Sequence, residues 1–193
     1  MYQKGYRIYL LKILSELKID GLKIVLTYRD GKLVTGATRG DGTIGEDVTE
    51  NIKRIKSIPH SIHVNRPIVV IGEVWLKTND LKSINIEREK KNLPIYANPR
   101  NLAAGTLRQL DTDIVAARNL QTFIYDLEYL DTKESFKTHE EELQYIKKQG
   151  FNVNPDRKLS KDLKSIQDYY ESWVENRHNE QYGIDGLVIK LNN

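Results

Sequence analysis

At 193 residues, 39% hydrophobic and 30% charged, the chain can bury one substantial core and lacks the bias of a disordered or fibrous protein. It has no cysteine, which excludes disulfides, a cysteine nucleophile and any cysteine-ligated zinc or iron–sulfur site. Thirty basic against 27 acidic residues leave a net charge of +3, which permits contact with nucleic acid without requiring it.

Met1 to Arg7 is basic, but the apolar stretch Ile8 to Leu14 is short and interrupted by Lys12, and no small-residue cleavage site follows. A cytoplasmic protein with no membrane partner is expected. Leu14 to Asp20 alternates polar and apolar, so in an extended strand Glu16, Lys18 and Asp20 share one face and Leu17 and Ile19 the other. A lysine amine attacks phosphorus only when unprotonated. At an ordinary pKa of about 10.4 it needs burial or a nearby cation to become so, and a second lysine beside Lys18 is therefore expected. Asp20-Gly21 alone reads more readily as a turn, since Asp-Gly recurs at Asp30, Asp41 and Asp185. What raises its weight is that Ile19-Asp20-Gly21-Leu22 returns as Ile184-Asp185-Gly186-Leu187, which runs into Val188-Ile189-Lys190 with Val188 and Lys190 on one face.

Further along, Leu22 to Tyr28 and Lys32 to Thr38 flank the hairpin signal Arg29-Asp30-Gly31. A loop is expected over Gly42 to Gly45, a helix near Glu46 to Ile55 and a buried strand from Ile68 to Leu76. Thr78 is expected to cap a helix reaching about Asn92, and Asn98 to cap one with Pro99 in its first position. Asn119 to Leu130 is strand-like, Thr138 and Glu141 form a capping box on a helix stopped by Gly150, and a last helix near Lys161 to Arg177 precedes the Ile184 to Leu191 strand. Hairpins in non-alternating order predict an α+β domain.

Gly40-Asp41-Gly42-Thr43-Ile44-Gly45 matches the three-glycine dinucleotide fingerprint, yet Glu46 and Asp47 would place carboxylates where a pyrophosphate should sit. The acid expected about 20 residues on is also missing between Lys56 and Ile68, so a Rossmann reading is rejected. Glu73 interrupts the apolar run Ile68 to Leu76. It is either a sheet-edge carboxylate facing water or a buried one needing donors such as ribose hydroxyls. Asn98 to Arg108 joins Arg100 and Arg108 to small residues, which suits either a solvated helix or guanidinium forks aimed at phosphate.

Taken together, Glu16 to Gly21, Thr38 to Asn51, Gly72-Glu73-Val74, Asn98 to Asn101, Leu107 to Asp111 and Ile184 to Lys190 closely resemble the adenylation domain of bacterial NAD+-dependent DNA ligases. That family belongs to the covalent nucleotidyltransferase superfamily, whose fold has antiparallel sheets flanked by helices. The resemblance implies that Lys18 attacks the α-phosphorus of NAD+, expels nicotinamide mononucleotide and carries AMP for sealing nicks in duplex DNA during replication and repair. It implies that Glu16 reads the adenine amino group, Tyr125 stacks on the ring and Glu73 holds the ribose. Val188 would line the nucleotide site, and Arg39 and Lys190 would contact the nucleotide and its phosphate, with Lys190 supplying the cation sought beside Lys18. Asp20 would orient the site and a magnesium ion, and Arg100, Arg108 and Arg177 would serve the later steps on DNA.

Residues 1–15 match the family poorly, so the domain is expected over residues 16–193, truncated after the Lys190 strand. The family's nicotinamide-gripping module, oligonucleotide-binding barrel, zinc module and helical repeats are not recognised, and a fragment that cannot complete ligation alone is expected. Ile71 stands where the family commonly has arginine and Lys23 where it has a small residue. Two alternatives remain: an ATP- or GTP-using nucleotidyltransferase of the RNA ligase or capping type, and an inactive nucleotide-binding remnant.

Overall fold

The computed structural model describes residues 12–40, 45–131 and 136–192. The strands are β1 (Ile13–Ile19), β2 (Leu22–Arg29), β3 (Lys32–Thr38), β4 (Ile68–Trp75), β5 (Gln121–Leu130), β6 (Arg157–Ser160) and β7 (Ile184–Leu191). The helices are α1 (Thr49–Ile52), α2 (Thr78–Lys90), α3 (Pro99–Leu107), α4 (Thr112–Ala117), α5 (His139–Lys148) and α6 (Leu163–Asn176). Two sheets form, ordered β6-β1-β7 and β3-β2-β4-β5, and every pairing among the described residues is antiparallel. This is the α+β architecture expected, and a doubly wound dinucleotide fold is excluded. Most of the Gly40 to Gly45 loop lies outside the described residues.

The β2–β3 hairpin turns where Asp30 and Gly31 both take positive φ, 49° and 71°, the pattern of a two-residue turn that matches strand twist. The chain passes from one sheet to the other at Asp20-Gly21, between β1 and β2. Gly21 is required there, because a Cβ would stand 2.3 Å from the Val74 carbonyl oxygen and 2.7 Å from Glu73 Cγ. That absent side chain lets β4 bring Glu73 close to the β1 end. The main core lies against the four-stranded sheet, with Ile24, Leu26, Tyr28, Ile52, Ile68, Val70, Leu102, Leu107 and Ile124 almost wholly buried. A second cluster of Leu17, Trp75 and Tyr182 includes a Trp75–Phe123 stack at 5.3 Å; aromatic contacts of this kind contribute about 0.5–1.5 kcal/mol beyond burial.

Helix ends follow the sequence with two exceptions. Asn98 accepts from the Asn101 N–H ahead of Pro99, and Thr138 accepts from the Glu141 N–H at the start of α5, which ends before Gly150 at φ 95°. Thr78, expected as a cap, is instead the first residue of α2. Its N–H donates to the Gln181 carbonyl, so a tertiary contact satisfies the helix start. The helix expected over residues 46–55 shrinks to α1 because Thr49 is held outward: its hydroxyl accepts from the Gly36 N–H at 2.9 Å, docking that turn on β3. α5 is fixed on both sides, since Arg157 of β6 holds Glu140 through two bonds of 2.7 and 2.8 Å and the Glu140 N–H donates to Asn192 Oδ1 at 2.8 Å.

Candidate active site

Residues from both sheets and from α3 line one cavity of about 460 Å³. β1 contributes Glu16 and Lys18, β7 Val188 and Lys190, β4 Glu73, β5 Tyr125, the end of β3 Arg39, and α3 with its cap Arg100 and Arg108. Nine residues singled out from sequence therefore converge, although they span positions 16 to 190. Asp20 sits just outside, at the crossover, and its Oδ1 accepts from Arg100 Nη1 at 3.1 Å. Arg177 is not brought in: it follows α6 and lines a separate small groove with Trp173, Asp185 and Leu187.

Lys18 projects from the end of β1, half exposed, with Nζ 2.6 Å from Asp185 Oδ2. Antiparallel pairing places Ile19 opposite Ile184, so the two Ile-Asp-Gly-Leu runs meet and Asp185 of the second reaches the lysine of the first. Glu73 belongs to an inner strand, not a sheet edge. Burial raises its carboxyl to about 7, against the pull of the Arg100 and Lys18 charges. A carboxylate so placed gains from hydroxyl donors that replace the lost water.

Lys190 lies elsewhere than expected. It stands opposite Leu14, four residues along β7 from Gly186, the partner of Lys18, which is about 13 Å of strand. Its Nζ reaches Tyr125 O at 3.0 Å, His139 Nε2 at 2.9 Å and Glu16 Oε2 at 3.3 Å. It is therefore not the cation beside Lys18; Arg100 and Lys23, whose charges act on the same Glu73 carboxyl as Lys18, are nearer that role.

His139, unnoticed in the sequence beyond its place after the Thr138 cap, stands behind both Glu16 and Lys190. Nε2 is 3.1 Å from Glu16 Oε2, and Nδ1 is 3.5 Å from Glu142 Oε1. Burial pushes the pKa of the ring down, while the carboxylates of Glu142 and Glu16 push it up. The contact with Lys190 points the other way, because two protonated groups cannot share it; geometry decides for a neutral ring accepting at Nε2 and donating from Nδ1 to Glu142. Lys190 then bridges Nε2 and Glu16. Asp126, His139 and Glu142 also offer three ligand atoms within 4.8 Å of one another. The Lys190 ammonium, 3.9 Å from Asp126 Oδ2, already supplies the positive charge that a divalent ion would bring there.

The family described as the NAD-dependent DNA ligase adenylation domain matches residues 4–193. The chain belongs to this family. The adenylation domain is 48% identical over 180 residues to a DNA ligase of Thermotoga petrophila, covering 92% of the chain and 26% of that protein. It is 43% identical over 178 residues to the DNA ligase of Clostridioides difficile, with the same shares. It thus spans about a quarter of the length of these curated relatives. Among solved structures, a mycobacterial DNA ligase D complexed with ATP and MES aligns with a TM-score of 0.55 at 14% identity, covering 94% of the chain and 49% of that one. The ligase domain of LigD from M. tuberculosis aligns at 0.57 and 13%, with the same coverage. At such identities the likeness speaks for the fold alone. No helix among the described residues of the adenylation domain is long and apolar enough to cross a membrane.

Proposed function

We propose that the chain performs the adenylyl-transfer step of an NAD+-dependent DNA ligase. Lys18 Nζ forms a bond to the α-phosphorus of NAD+, the bond from that phosphorus to the bridging oxygen breaks, and nicotinamide mononucleotide leaves with that oxygen while the amine gives up a proton. The observation that carries this reading is the position of Lys18, at one end of a cavity whose other end holds the Glu16–Lys190 pair and whose wall holds Glu73. Carboxylate and ammonium side by side complement the amino group and ring nitrogen of adenine. Lys190 is thereby given the base and not the phosphate. Tyr125 would cover the ring, Val188 would pack beside it, Glu73 would accept from the ribose, and Arg39 would face the phosphates.

A magnesium ion is proposed near Asp20, held largely through water, since magnesium commonly keeps several waters and takes few protein ligands; Asp20 would have to part from Arg100 to take it, as Asp185 is already paired with Lys18. Bound there, it would offset charge on the phosphates. Nicked duplex DNA is the proposed acceptor of the AMP. Arg100 and Arg108, half exposed and tied to Asp20 and Glu46, are proposed to turn to its phosphates, with Arg177 as a more distant contact on the same molecule. Replication and repair in the cytoplasm is the setting proposed. The family match and relatives named DNA ligase at 41–48% identity support this reading over an ATP- or GTP-using enzyme or an inactive remnant.

The test is intact-mass analysis after mixing the protein with NAD+ and magnesium, followed by peptide mapping. AMP is expected on Lys18, and Lys18→Arg, which keeps the charge without a usable nucleophile, is expected to gain none. An adduct on another residue, or any adduct in Lys18→Arg, refutes the assignment.

A further inference from the structure

Glu16 and Lys190 carry opposite hydrogen-bonding characters, the one accepting and the other donating. Adenine offers a 6-amino donor beside a ring-nitrogen acceptor. Hypoxanthine reverses both, with a 6-oxo acceptor beside an N–H donor. A carboxylate and an ammonium free to swap would read either edge equally well, so preference for adenine requires something that fixes which group stands where.

His139 meets that requirement. Its ring is 9% exposed and lines no part of the cavity, yet Nε2 accepts from Lys190 Nζ at 2.9 Å, and Lys190 in turn holds Glu16 Oε2 at 3.3 Å. Its Nδ1 faces Glu142, which is itself fixed by the Leu127 N–H at 2.8 Å. The first turn of α5 cannot drift, because Glu140 is held by Arg157 and Asn192. Tyr125 O takes another of the Lys190 protons, so the flexible ammonium is left with few directions, among them the cavity.

We propose that His139 is a positioning residue for base selection, holding the Glu16 carboxylate and the Lys190 ammonium in the order that accepts adenine and rejects 6-oxopurines. This rests on the reading of the cavity as an adenylate site. His139 acts through its two neighbours and does not touch the nucleotide.

The experiment is calorimetric titration of the protein with AMP and with inosine monophosphate. The wild-type protein is expected to favour AMP by about a hundredfold or more, because the reversed edge leaves both protein groups unpaired. His139→Ala is expected to lower that ratio at least about tenfold, partly through improved binding of inosine monophosphate. His139→Leu, which refills the space with neither donor nor acceptor, carries the same expectation should His139→Ala fail to fold. His139→Gln retains one donor and one acceptor and is expected to keep the ratio within about threefold of wild type. An unchanged ratio in folded His139→Ala or His139→Leu, or equal weakening of both nucleotides, overturns the proposal. A wild-type protein that binds neither nucleotide, or binds both equally, overturns the adenylate reading itself and the proposal with it.

Discussion

Glu73 offers the sharpest electrostatic test of the site. Burial lifts its carboxyl from the ordinary 4.5 to about 7, so the folded protein holds this proton more tightly than the unfolded chain. Ionisation therefore opposes folding: stability falls as pH rises from about 4.5 through 7 and levels above. The shift corresponds to about 3 kcal/mol at most, and about 2 kcal/mol once the part of the carboxyl that meets the open cavity is discounted for screening. Glu73→Gln removes this component, so the variant should gain on wild type by that amount between pH 5 and pH 8 in urea denaturation.

Ligand binding should show the opposite sign, because a ribose hydroxyl donates to the ionised carboxylate. Adenosine suits the assay, having no phosphate to titrate near pH 6. With a pKa of about 7 the ionised fraction rises about twenty-fivefold between pH 5.5 and 7.5, and adenosine affinity should rise with it in wild type and stay nearly flat in Glu73→Gln. A flat wild-type profile, or the same slope in the variant, would refute the assignment of Glu73 to the ribose.

Gly21→Ala should destabilise by about 2 kcal/mol or more, lowering the thermal midpoint by about 4–8 °C, because its Cβ meets backbone that cannot yield without parting the start of β2 from β4; a midpoint within a degree of wild type would contradict the close approach. Arg108→Ala should weaken binding to nicked duplex without regard to sequence and reduce the slope of log affinity against log salt by about 1. An unchanged slope would confine Arg108 to its ion pair with Glu46.

Much of the fold was legible where local chemistry dictates it. Arg29-Asp30-Gly31 announces the β2–β3 hairpin, and Asn98-Pro99 opens α3. β6 and α4 escaped notice because neither stands alone: β6 is four residues long and exists by pairing with β1, and α4 buries only Val115. The helix expected from Glu46 failed for a similar reason, its start being drawn onto β3 by Thr49. At the site, strand faces were correctly inferred for Glu16, Lys18, Val188 and Lys190. Periodicity gives the face a residue occupies but says nothing of which end of its strand meets which end of the next. His139 was invisible for a stronger reason, since Glu16 and Lys190, which give it its place in the site, lie 123 and 51 positions away.

The register of β1 with β7 explains how one pair of strands can serve both ends of the proposed nucleotide site. Antiparallel pairing brings the close of β1 to the opening of β7, so the repeated Ile-Asp-Gly-Leu runs, 165 positions apart by subtraction of 19 from 184, meet at Ile19 and Ile184 and set Asp185 against Lys18 and Asp20 against Arg100. The same pairing carries Lys190 away from the nucleophile as β7 proceeds, to the level of Leu14, where Glu16 can reach it. A cation beside Lys18 must then come from outside the strand pair. Arg100 on α3 is in place, bonded to Asp20 and acting on Glu73. The proposed nucleophile and the proposed base-reading pair are thus two ends of one ladder, separated by the rise of four residues, and the helix bearing Arg100 closes the Lys18 end as the helix bearing His139 closes the other.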